Sequence, residues 1–296
     1  MASSTLAFAK RSAQLRIASS FLHHRGLTVG GGMLAVLLII AIGAPWIAPY
    51  SPIATDLSHS LAPPSIAHLL GTDQYGRDVL SRLIWGTRIS LEVAFWVVLV
   101  SLTLGTAIGA MAGYFGGWID RTLTSFNEMM LAFPGFLLAL ALVAARGSTL
   151  DNVILAIAIA YTPRVAIVMR SIVLTVRPRQ YVEAAHAIGA SSLRILLRHV
   201  IPNSLPPVIV VATVSAATAI LGEAGLSFLG LGVQPPAPTW GNVISDGQNY
   251  IQSNPWISLS AGIAIAISVI GFNLLGDGLR DTLDPQLKKQ TAAKLL

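Results

Sequence analysis

Six runs of about twenty apolar residues dominate this chain, at roughly 29–48, 89–114, 126–145, 150–173, 205–221 and 256–275. A spanning helix needs about 20 such residues. In lipid every backbone N–H and C=O has to be satisfied within the segment, so each run is expected as an α-helix. The first run carries no charge, and overall 54% of the 296 residues are hydrophobic and only 11% charged. Soluble domains carry about 25% charged residues. Mean hydropathy is +0.69. The expected fold class is therefore all-α, a polytopic membrane protein with six transmembrane helices.

Charge placement orients the bundle. An even number of spans puts both termini on one side. That side, with the 2–3 and 4–5 connections, holds fourteen Lys and Arg, against four (Arg77, Arg82, Arg88, Arg146) opposite. Lys and Arg are retained on the cytoplasmic side, so both termini and the 4–5 connection are expected there. The net charge of +6 then reflects membrane orientation and not nucleic-acid binding. A secretory signal peptide shares the order of basic tail and apolar run, and Ala41-Ile42-Gly43 loosely resembles a cleavage site. The 28 residues ahead of the run are long for such a signal. There is no cysteine, which excludes disulfides, thiolate metal sites and a cysteine nucleophile. The segments read as a tail (1–28), a first span with a long outside loop (29–88), a core (89–279) and a second tail (280–296).

The 4–5 connection breaks the apolar monotony with "QYVEAAHAIGASSLRILLRHVIPN". Ala-rich 180–188 favours helix, and Gly189 is a natural stop. Ser191 or Ser192 is placed to cap a second helix, which Pro202 is expected to end. In that second helix Leu193, Leu196, Leu197 and Val200 follow the spacing of one apolar face. Arg194 and Arg198, four apart, make a basic stripe beside it. Such a helix suits an anionic lipid surface, and equally the groove of a partner protein. Periodicity does not separate the two.

Other residues admit two readings each. Arg164 lies 14 residues into the fourth run, about 21 Å along a helix. It fits either a translocation path or a snorkelling side chain. Glu92 and Glu128 fall near run ends. Gly105, Gly109 and Gly113 form a small-xxx-small stripe, packing within the chain or against a partner. The 222–255 connection either reaches a partner or closes the bundle. The histidines (His23, His24, His59, His68, His186, His199) lack ligand spacing, so no metal site is expected. A self-contained secondary transporter would need acids at mid-membrane, and no carboxylate is expected deep in a span. A membrane enzyme would need H-E-x-x-H or G-x-S-x-G, and neither occurs. None of the four lysines follows a glycine, so the chain has no P-loop and no expected catalytic residue.

Three stretches together resemble one family. "EAAHAIG" followed by Pro202 is similar to the EAA loop of ABC-importer permeases, here at about 175–204. Glu183, Ala184, Ala185 and Gly189 match at the family's spacing. The end departs, with His199 where the pattern has Ile and Ile201 where it has Leu. "LLGTDQYGRDVLSRLIWGTRISL" and "NLLGDGLRDTLDP" resemble the dipeptide, oligopeptide and nickel permeases, of the type with a long first outside loop. The resemblance implies a permease fold with a coupling helix between spans four and five. It implies a second homologous permease, two ATPase subunits carrying ATP and Mg, and an external substrate-binding protein. It makes Glu183, Ala184, Ala185, Gly189, Arg194, Arg198 and Pro202 the ATPase-coupling residues, with no cofactor on this chain. It points to short peptides as substrate, and to Phe133, Phe136 and Ser215 as candidates for the pathway lining.

Overall fold

The computed structural model describes residues 25–283, and every described regular element is helical. Helix α1 is Arg25–Ile47 and α2 is Val79–Phe115. The third apolar run is a bent pair, α3 (Gly117–Leu131) and α4 (Gly135–Arg146). Helix α5 is Leu150–Val176 and α6 is the short Gln180–Ala187. Helix α7 is Ser192–Phe228. Trp240–Gly247 (α8) and Trp256–Leu283 (α9) follow. Five of these are long and apolar enough to cross a membrane, or six if the bent pair counts as one span.

The structure differs from the expected spans in three places. Helix α2 starts ten residues earlier than residue 89 and has 37 residues, about 55 Å against a hydrocarbon core of about 30 Å. Asp78 caps it, its Oδ2 accepting from the Ser81 N–H at 2.8 Å. Of the two arginines in this first part, Arg82 is neutralised by ion pairs, described below, and Arg88 lies over the Trp85 ring at 5.9 Å. The third run is not one straight span: α3 and α4 meet at 86°. Pro134 sits at the bend and caps α4, where its missing N–H costs nothing. Pro202, finally, does not end a helix. The chain continues from Ser192 through it to Phe228, by way of a π-helical turn at Leu196–Val200. There the Ile201 N–H reaches back to the Leu196 carbonyl. Pro202 and the later Pro206 and Pro207 cannot donate to the preceding turn. Beside Pro202, Asn203 Nδ2 donates to the His199 carbonyl at 2.6 Å and Ser204 Oγ to that of Val200 at 2.8 Å. Membrane helices tolerate proline where local winding and neighbouring side chains adjust around it.

Close backbone approach holds the bundle. The stripe Gly105, Gly109 and Gly113 packs within the chain, on α5. A Cβ at Gly105 would lie 2.6 Å from Val165 Cβ, one at Gly109 2.8 Å from Met169 Cβ, and one at Gly113 2.9 Å from the Arg170 carbonyl. Helices α1 and α9 cross in the same way, with Gly30 against the Gly271 carbonyl. The outward surface is apolar, as a bilayer requires: Ile39, Ile42 and Trp46 of α1 and Leu259 and Ile263 of α9 are at least half exposed. Arg164, Glu92 and Glu128 all lie on exposed faces of their helices.

Candidate functional site

Two ends of the bundle carry polar structure. At the first, α6 and the start of α7 form a helix–turn–helix. Helix α6 ends where expected: Ile188 is its cap, and Gly189 adopts φ +80, a conformation that costs other residues roughly 1–2 kcal/mol. Ser191 is the cap residue of α7, though its side chain makes no capping bond. The inner face is apolar. Val182, Ala185, Ile195, Leu196 and Val200 pack in one cluster with Ala110 and Tyr114 of α2 and Met169 and Val173 of α5.

The outer face of this segment is bare. The structure leaves Glu183, Ala184, Gly189, Arg194, Arg198 and Pro202 exposed and turns Ala185 inward. It also corrects the expected apolar face. Leu196 and Val200 pack inward, but Leu193 and Leu197 stay 60% and 57% exposed. The π turn shifts the angular register, and Ile195 takes the inward place. With Ile188, 85% exposed, they are three bare apolar side chains in a segment that also exposes Glu183, Arg194 and Arg198.

Asp120 of α3 and Arg170 of α5 brace this end, Arg170 Nη2 donating to Asp120 Oδ2 at 2.6 Å. One further polar contact ties α6 to the bundle. The Tyr114 hydroxyl and His186 Nε2 are 3.2 Å apart, their rings nearly parallel at 8°.

At the opposite end, four charged side chains close a cluster that no motif spacing had suggested. Asp73 Oδ2 accepts from Arg77 Nε at 2.7 Å and from Arg82 Nη1 at 2.6 Å. Asp246 Oδ2 accepts from Arg77 Nη2 at 2.9 Å and from Arg82 Nη1 at 2.7 Å. Asp73 and Arg82 are almost fully buried. The cluster ties the long 48–78 connection and the start of α2 to α8. Trp240, wholly buried, sits beside it and donates its indole N–H to the Leu83 carbonyl at 3.2 Å. Gly241 packs on α7, its Cβ position 2.7 Å from Ala224 Cα. The connection after α7 thus closes this end of the bundle. Two signals were legible: the i,i+4 pair Asp73/Arg77, and Asp78-x-x-Ser81 as a helix start.

Glu223 was also missed. The apolar run of the sequence ends at residue 221, yet α7 continues to Phe228, and Glu223 is completely buried within it. Its Oε1 accepts from Ser227 Oγ at 2.7 Å. This corrects the expectation of no deep carboxylate, although Glu223 lies in the last two turns and not at mid-helix. In the outer connection Asp56 caps the turn Leu57–His59, and hydrogen bonds from Ser58 and then His59 lower its carboxyl to about 2.

The three pathway candidates are not brought together. Phe133 is 60% exposed at the α3–α4 bend. Phe136 packs on Gly225, and Ser215 is buried with its hydroxyl donated to the Val211 carbonyl. Among the described residues no three His, Cys, Asp or Glu side chains converge as metal ligands. His23 and His24, the basic tail residues from Lys10 to Arg16, and Lys288, Lys289 and Lys294 lie outside the described residues.

The arrangement is that of a transporter membrane subunit. Its fold is similar to a chain of the MetNI methionine ABC transporter in inward-facing form, with TM-score 0.56 at 19% identity, covering 70% of this chain and 96% of that one. A second crystal form of the same transporter gives TM-score 0.57 over 69% and 97%. The chain belongs to the family described as binding-protein-dependent transport system inner membrane component, whose model matches residues 105–289. Residues 14–64 match the N-terminal TM domain of oligopeptide transport permease C. Among relatives, the dipeptide transport system permease protein DppC of Alkalihalophilus pseudofirmus is 45% identical over 88% of this chain and 86% of the relative. The di/tripeptide transport system permease protein DppC of Pseudomonas aeruginosa is 44% identical over 91% of both. The glutathione transport system permease protein GsiD of Pectobacterium atrosepticum is 41% identical over 88% of both. The chain is thus an inner-membrane, non-catalytic transport subunit, of the family its three motifs resemble.

Proposed function

We propose that this chain forms half of the translocation pathway of an ATP-driven importer of short peptides. It pairs with a second, homologous permease. Two ATPase subunits, holding ATP and Mg, dock on the α6–α7 segment, and an external binding protein delivers substrate to the opposite end. Both termini lie on the ATPase side, in the cytoplasm. The peptide substrate is supported by the names of the relatives, and the orientation by the excess of Lys and Arg on that side.

The carrying observation is the exposure, in one short segment, of apolar Ile188, Leu193 and Leu197 together with Glu183, Arg194 and Arg198. Exposed apolar side chains accompanied by charge suit insertion into a groove on a partner. Exposed Ala184 and the open space around Gly189 allow close approach, and Pro202 holds the exposed side of the π turn. Glu183 supplies the polar contact, or completes the first turn of α6, where the helix dipole favours an anion. Of the pathway candidates, Phe133 stands free at the bend, whereas Phe136 and Ser215 support the wall behind it.

The test is purification of the tagged chain from membranes, with the mass of the intact complex measured. One second permease and two ATPases are expected. A monomer or a homodimer without ATPase overturns the reading. Glu183→Lys is expected to leave ATP hydrolysis uncoupled from uptake, and normal uptake by that variant counts against the docking face.

A further inference from the structure

Helix α6 has only eight residues, and its covalent neighbours are α5 and α7. Yet its inner face also meets a third element. Val182 and Ala185 pack with Ala110 and Tyr114 near the end of α2. His186, four residues beyond Val182, lies at the exposed edge of that face. Its Nε2 is within hydrogen-bond distance of the Tyr114 hydroxyl, at 3.2 Å, and the two rings lie parallel with centroids 6.4 Å apart. Tyr114 is only 5% exposed. Among the described residues this is the one side-chain hydrogen bond between α6 and a spanning helix, and it reaches a helix that α6 does not adjoin in sequence.

Apolar packing is non-directional, so Val182 and Ala185 alone would let α6 slide over the end of α2. A hydrogen bond fixes direction and register. Helix α2 in turn runs unbroken for 37 residues to the Asp73–Arg82–Asp246 cluster at the far end. We propose that Tyr114 and His186 are a positioning pair that fastens α6 to α2, so that α2 moves with α6 when the ATPases displace it. The proposal rests on the reading of α6 as the ATPase-docking element. It adds that the displacement enters the bundle through α2 as well as through α5 and α7.

The experiment uses the full complex with its ATPases and binding protein, reconstituted in lipid. Nitroxide labels replace Met111 of α2 and Tyr181 of α6, both exposed. Their separation is measured without nucleotide and after trapping with ATP and vanadate. With the pair intact the separation is expected to stay constant. In Tyr114→Phe and in His186→Ala it is expected to change on trapping, and the uptake-to-hydrolysis ratio of a labelled dipeptide to fall about fivefold, as one ordinary hydrogen bond predicts. His186→Gln, which keeps a polar group within reach of Tyr114, is expected to restore both. A separation that changes equally in the parent and in Tyr114→Phe overturns the proposal, as does a constant separation in both variants. So does a loss in His186→Ala that glutamine does not restore. Failure of the docking reading looks different, because then no ATPase co-purifies with the unsubstituted chain.

Discussion

Replacing Arg82 by alanine tests whether the charged cluster at the loop end is a structural clasp. Arg82 is 1% exposed, and its Nη1 donates to both Asp73 and Asp246, at 2.6 and 2.7 Å. Its removal turns two acids facing two bases into two acids facing one. Breaking a buried pair from one side typically costs about 3–5 kcal/mol, because the abandoned charge stays buried. Arg77 still reaches both carboxylates, at 2.7 and 2.9 Å, so the lower end applies, about 3 kcal/mol. On the scaling for domains of 150–250 residues, about 2–4 °C per kcal/mol, the melting temperature should fall by roughly 6–12 °C. The assay is thermal unfolding of the detergent-solubilised chain, followed by tryptophan fluorescence, since Trp240 is buried beside the cluster. The electrostatic origin has its own signature. Asp246→Asn added to Arg82→Ala removes the surplus negative charge, so the double variant should be more stable than Arg82→Ala alone. If the second substitution instead destabilises further by its own single-variant amount, the loss comes from packing and the charge argument is wrong.

Two further outcomes follow from the geometry. Gly109→Val forces a side chain onto Met169 and the α5 backbone and should cost about 1–3 kcal/mol by overpacking. Gly262→Ala, with nothing within 4 Å of its Cβ position, should stay within about 1 kcal/mol; paired melting curves decide it. The Asp56 carboxyl is lowered from 3.8 to about 2, so its contribution to the outer connection is complete above its ordinary value and lost as pH falls through about 2. Protection from hydrogen exchange at residues 54–62, taken against the intrinsic rate at each pH, should therefore fall below about pH 4 in the parent, and Asp56→Asn should remove that fall.

Much of this molecule was legible because lipid leaves so few options. Apolar runs of span length had to be helices, and their charge-free centres marked five of them. The stop at Gly189 was equally plain, since a left-handed residue there suits glycine alone. Helix ends and bends were less so. The start of α2 was hidden because Arg82 reads as a solvated charge until Asp73 and Asp246, the latter 164 residues away, are known to face it. Pro202 was expected to end a helix, yet the chain continues through it by way of a π-helical turn, whereas at Pro134 it bends by 86°. The exposed coupling surface was visible as a motif. Its angular phase was not, because a helix of constant pitch wrongly places Leu193 and Leu197 inside.

That phase has a consequence for how the chain tolerates insertions. Each residue of an ideal α-helix advances about 100°, and a π turn accommodates one residue more than an α turn. Deleting a single residue between Leu196 and Val200 would restore regular winding and leave every apolar run intact. Because the wide turn fits its extra residue into the same rotation, Arg194 and Leu193 would keep their orientation relative to Glu223 and Ser227. The same deletion in the regular winding of α7 would instead rotate the segment beyond it by about 100°. The underwound turn is thus a clocking joint, which absorbs one residue without turning one half of the helix against the other.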